Sequence, residues 1–103
     1  KRALDNRLAV LLAHLLKWQF QSDKRSTSWR GTIDEQRKRI RQLLEDSPSL
    51  KYELDDRLRR AYDIGISVAV KDTGMSESVF PDTCPYMLQQ VLDKNFYPGT
   101  ERY

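Results

Sequence analysis

"LDNRLAVLLAHLLKWQF", residues 4–20, decides how the rest of the chain must be arranged. Leu4, Leu8, Leu11, Leu12, Leu15 and Trp18 recur at spacings of three and four. That spacing puts them on one stripe of a helix turning about 100° per residue. Ala9, Ala13, Leu16 and Phe20 extend the apolar surface around a second side, leaving only a strip near Asn6, Arg7, His14 and Lys17 for water. A helix so widely apolar has to be surrounded, so the pattern predicts a central helix. The run Leu8 to Leu16 is interrupted by His14 and bracketed by Arg7 and Lys17. It falls far short of the roughly 20 apolar residues that span a bilayer.

Working outward, Gln21 to Thr27 carries no period, and "STS" at 26–28 offers hydroxyls to the free amides of a helix start. From Trp29 the helical spacing resumes through Ile33, Gln36, Ile40, Leu43 and Leu44, which places Trp29 in the first turn of a second helix. Thr32 with Glu35 forms a rival capping box that would start this helix a turn later. "EDSPSL" at 45–50 is a break in which Ser47 can cap a third helix opened by Pro48. Leu50, Leu54, Leu58, Ala61, Tyr62, Gly65, Val68 and Ala69 form the stripe of that helix, and Gly74 is placed to end it in a left-handed conformation. Gly65 lies on the apolar face. There it either admits a close helix approach or is a weak spot costing about 1 kcal/mol relative to alanine. A turn and a final helix from about Pro85 to Asp93 follow, with Thr83 or Cys84 as cap and with Tyr86, Leu88, Val91, Leu92 and Phe96 to dock it. No stretch alternates like a strand.

The expected architecture is all-α: a small antiparallel bundle of three main helices plus a short C-terminal helix, with sequential neighbours packed together. A chain of 103 residues holds one domain, here residues 1–103. Its 39% hydrophobic and 32% charged residues suit a globular protein with a heavily charged surface. Cys84 is alone, so an internal disulfide and a thiolate cluster are excluded, in keeping with a reducing, cytoplasmic setting. The chain starts at a lysine with the leucine pattern already running by Leu4, which reads as a fragment or processed form of a slightly longer domain.

Charge is uneven: residues 1–47 hold eleven basic and six acidic residues, residues 48–103 seven and nine. Lys17, Trp18, Lys24, Arg25, Trp29, Arg30, Arg37, Lys38 and Arg41 therefore form the candidate binding surface, for an acidic partner or a nucleic acid. The competing reading is that Trp18 closes one stripe and Trp29 opens the next, so both are core. Much of the second helix also neutralises itself, since Asp34 with Lys38 and Glu35 with Arg39 have the favourable four-residue spacing.

Nothing points to catalysis. His14 is the sole histidine and has no second histidine or cysteine at metal-ligand spacing. Asp55, Asp56 and Asp63 alternate with Arg57, Arg59 and Arg60 as a solvated face does. Glycine-rich phosphate loops and nucleophile elbows are missing, so no catalytic residue, cofactor or metal is assigned.

The segments "HLLKWQFQ", "SWRGTIDEQRKRI", "LLEDSPSL" and "FPDTCPY" together resemble the bacterial domain-of-unknown-function family 29, in order and spacing, from about Leu4 to Pro98. The positions that match its recurrent pattern are His14, Lys17, Trp18, Arg25, Ser28, Trp29, Arg30, Glu35, Gln36, Pro48, Gly74, Pro81, Cys84, Pro85 and Tyr86. Asp55 departs from it, standing where relatives often carry proline. The resemblance implies an all-helical fold and no established activity. It also implies a further N-terminal helical segment that this chain lacks, and hence an apolar face left open where that segment would pack. On these grounds the expected function is a non-enzymatic protein-interaction or self-association module. The alternative is nucleic-acid binding through residues 17–41.

Overall fold

The six leucines of the opening stretch are all at or below 1% exposure, and they make the first helix the pillar of the molecule. A computed structural model describes residues 2–99. In it α1 spans Arg2–Phe20, α2 Thr27–Asp46, α3 Leu54–Thr73 and α4 Leu88–Leu92, with short 3₁₀ turns at Ser22–Lys24, Pro48–Glu53 and Glu77–Val79. The described residues contain no strand. The chain is thus a small all-α bundle, and none of its helices is long and apolar enough to cross a membrane.

Burying a leucine fully stabilises by about 1.5–3 kcal/mol. Leu4, Leu8, Leu11, Leu12, Leu15 and Leu16 therefore contribute more to the core than any other single element could. They are shared between two neighbours, since α1 packs against α3 and α2. Arg7 reaches Gln36 and Lys17 lies over Trp29, so α1 and α2 run antiparallel. Asp5 meets Arg57, Leu12 lies beside Gly65 and Lys17 meets Asp72, so α1 and α3 run parallel. One expectation needs correction: α2 and α3 follow each other in sequence but hardly touch. The 3₁₀ turn at Pro48–Glu53 contacts both and carries the chain across the end of α1. Most of the apolar surface of α1 is covered. Among its described residues only Arg2, Ala3 and Asn6 are exposed.

Local chemistry explains the boundaries. Ser26 Oγ accepts from the Trp29 amide at 3.1 Å, so α2 starts at Thr27 and the rival start at Thr32 is not used. Pro48 opens a 3₁₀ turn and not the α-helix. Ser47 makes no side-chain cap, and α3 begins six residues later than the sequence suggests. Gly74 ends α3 with φ +73° and its amide on the Val70 carbonyl at 2.8 Å. The last helix starts after Met87, whose amide donates to Gln90 Oε1 at 2.9 Å, so neither Thr83 nor Cys84 caps it. A Cβ on Gly65 would stand 3.2 Å from Leu12 Cβ and 3.3 Å from the Ala9 carbonyl, so the close-approach reading of this glycine is the correct one.

Candidate functional site

Residues 80–99 form a mostly irregular strap that crosses the bundle, and four of the residues singled out in the sequence, Trp18, Arg25, Arg30 and Arg37, hold it there. Phe80 packs edge-on against Phe20, and the Tyr62 hydroxyl donates to the Pro81 carbonyl at 2.7 Å. The buried Tyr86 hydroxyl lies 2.7 Å from Gln19 Oε1 and 3.3 Å from the Leu15 carbonyl, and the first is its better acceptor. Burial pushes the Tyr62 phenol up to about 12 and drives Tyr86 higher still, so both keep their protons and their donor roles.

Arg37 is the deepest of these ties. It is only 2% exposed, and its guanidinium donates to the carbonyls of Val91 at 2.8 Å, Phe96 at 2.8 Å and Gln90 at 3.3 Å. The Val91 carbonyl lies in the last turn of α4, where helix carbonyls run out of amide partners, the Phe96 carbonyl lies beyond the helix, and the Gln90 carbonyl also accepts the Asp93 amide at 3.2 Å. Burial draws the Arg37 pKa below its usual value, against the pull of Tyr97, Asp93 and Asp34. Around it, Trp18 and Tyr97 pack at 5.0 Å between ring centroids. Arg25 lies 5.1 Å over Trp18, and Arg30 and Arg37 lie 4.6 and 5.4 Å from the Tyr97 ring. Arg25 Nε also donates to the Trp18 carbonyl at 2.7 Å.

The candidate surface is therefore divided. Trp18 is 7% exposed, Lys17 5% and Arg37 2%, so these three are interior residues. Lys17 is bound to Asp72 at 3.0 Å. Arg25 and Trp29 are half-buried. Lys24, Arg30, Lys38 and Arg41 remain exposed, and Lys38 pairs with Asp34 at 3.6 Å. The tryptophans are packing residues, as the alternative reading of their spacing held. Arg57, expected on a solvated face, is also inside, holding Asp5 at 2.7 Å and Glu53 at 2.8 Å.

His14 and Cys84 serve separate neighbourhoods. His14 Nδ1 lies 2.9 Å from the Val10 carbonyl, and burial together with nearby Lys17 lowers its pKa despite that bond and Asp72. Burial pushes the Cys84 thiol up, and its Sγ faces the Tyr86 carbonyl at 3.5 Å. No group of three or more potential metal ligands gathers among the described residues.

The feature that sequence reasoning missed is on α4. Met87 is 60% exposed, and with half-buried Leu88 and Leu92 it lines an open depression of about 560 Å³ closed by Gln89 and by Asp55 at the start of α3. Of these, Leu88 and Leu92 were expected to dock the tail. Five residues of helix offer one side to the bundle and the other to solvent, and the sequence gives no sign that the outer side stays apolar.

Fold and strap define a small all-α module in which Arg25, Arg30 and Arg37 hold residues 80–99. The family described as domain of unknown function DUF29 matches residues 1–97, and the chain belongs to that family. No curated protein and no solved structure matches the chain.

Proposed function

We propose that this domain is a non-enzymatic interaction module that binds another protein or a second copy of itself. The observation that carries the reading is the apolar depression of Met87, Leu88 and Leu92, because a methionine this exposed beside two half-buried leucines is a surface that gains by being covered. The support has moved from α1, whose apolar sides are consumed by the core, to α4. Nucleic-acid binding through residues 17–41 draws less support, since the interior positions of Lys17, Trp18 and Arg37 leave that surface to Lys24, Arg30, Lys38 and Arg41.

A photoreactive residue placed at Met87, with a control at exposed Lys38, tests the proposal in the native cell. Crosslinked protein from position 87 and none from 38 is expected. Equal yields from both positions, together with a sedimentation profile that stays monomeric at every concentration, would refute it. Binding to RNA or DNA that falls steeply with salt and with Arg30→Glu would favour the nucleic-acid reading instead.

A further inference from the structure

We propose that the cleft between the first turns of α2 and the strap binds the phosphate group of a small molecule, at a place separate from the Met87 depression. The first pointer is Gly31. It is the fifth residue of α2, exposed, without the positive φ that would demand glycine, and a Cβ added there would meet nothing within 4 Å. A glycine inside a helix costs about 1 kcal/mol relative to alanine. Neither a turn nor internal packing requires it here, whereas a ligand approaching the backbone would.

The second pointer is the space in front of it. Gly31 floors an open cleft of about 440 Å³ lined by Thr27, Arg30, Asp34, Lys94 and Tyr97. That volume is in the range of small-molecule sites, roughly 300–1,000 Å³.

The third is charge. Among the described residues neither Arg30 nor Lys94 makes an ion pair, while the one carboxylate of the cleft, Asp34, is engaged by Lys38. Behind Tyr97 lies Arg37, buried and bonded only to neutral carbonyls, with Nη1 lacking a partner. Asp34 and Asp93 offset this buried cation only in part, so an anion in the cleft adds to its stabilisation. Arg30 and Lys94 can add charged hydrogen bonds and Thr27 a hydroxyl. The Tyr97 ring already touches Trp18 and two guanidinium groups, so recognition rests on charge and not on stacking a base.

The test is a titration with inorganic phosphate at fixed ionic strength, followed by the amide resonances of Thr27 and Gly31. Saturable shifts are expected, weakened about tenfold by Arg30→Gln and by Lys94→Gln and unchanged by Arg59→Gln. Gly31→Leu fills the cleft and is expected to abolish binding while raising the melting temperature, because leucine is the better helix former. That pairing separates a lost site from a lost fold. Binding that survives Gly31→Leu, or no saturable shift in the parent, would overturn the site. Equal affinity for succinate would overturn the assignment to phosphate.

Discussion

Replacing Arg37 with methionine should detach the strap, and the size of the effect can be worked from three contacts. The guanidinium is the donor to the Val91 and Phe96 carbonyls at 2.8 Å and a second donor, at 3.3 Å, to the Gln90 carbonyl, which keeps the Asp93 amide. A buried acceptor left without a donor costs about 1–3 kcal/mol, and bonds from a charged donor lie toward the upper end. Part of this is offset, because methionine fills similar space without burying a charge and removes the orphaned Nη1. A net loss of about 3 kcal/mol is expected, a large share of the roughly 5–15 kcal/mol that holds a domain of this size folded. At about 4–8 °C per kcal/mol the melting temperature should fall by about 12–24 °C, read by circular dichroism at the helix band. Limited proteolysis should then cut first within residues 80–99. Arg37→Lys should behave similarly, since one ammonium cannot span three carbonyls that a planar guanidinium reaches together. A methionine variant melting within about 3 °C of the parent would refute the claim that this side chain secures the strap.

Other outcomes follow from the same packing. Gly65→Ala places a Cβ 3.2 Å from Leu12 Cβ, so α1 and α3 must part; a loss of about 1–2 kcal/mol in chemical denaturation is expected after the gain in helix propensity, and a stabilised variant would contradict the close approach. Leu12→Ala, at a fully buried position, should cost about 3–4 kcal/mol in the same assay. Burial holds the folded-state pKa of His14 below its usual value of 6.5, so the unfolded chain binds more protons in that range. Stability should therefore be level above neutrality and decline as pH falls from about 6.5 toward the lower folded value, and His14→Gln should flatten that decline. Cys84, its thiol raised by burial, should react with a disulfide reagent more slowly in the folded protein than in denaturant.

Much of the fold was legible because α1 repeats leucine at helical spacing on two sides, which only a central position satisfies. The starts of α3 and α4 were not. Pro48 fits the first turn of a 3₁₀ helix as well as that of an α-helix, and Met87 caps with only the Gln90 half of a capping box, without the Ser or Thr that would mark the start. The surface was misjudged because charge was taken to mean solvent. Arg37 stands four residues after Ile33 and three before Ile40, on the buried stripe of α2, and Arg57 stands between Leu54 and Leu58 on that of α3. Those spacings were a usable signal. What lies opposite was not legible, since the carbonyls that receive Arg37 are more than fifty residues away and belong to an irregular segment. The Met87 depression is likewise a product of how far α4 sinks into the bundle.

The central claim is that Trp18, Arg25, Arg30 and Arg37 grip residues 80–99 through Tyr97, Pro98 and the carbonyls of Gln90, Val91 and Phe96. It is tested most directly by proton–proton cross-relaxation between the Trp18 indole and the Tyr97 ring in the folded chain. With their centroids 5.0 Å apart, strong cross-peaks are required. A helical, folded protein in which those cross-peaks are missing and the Trp18 indole exchanges freely with water would contradict it.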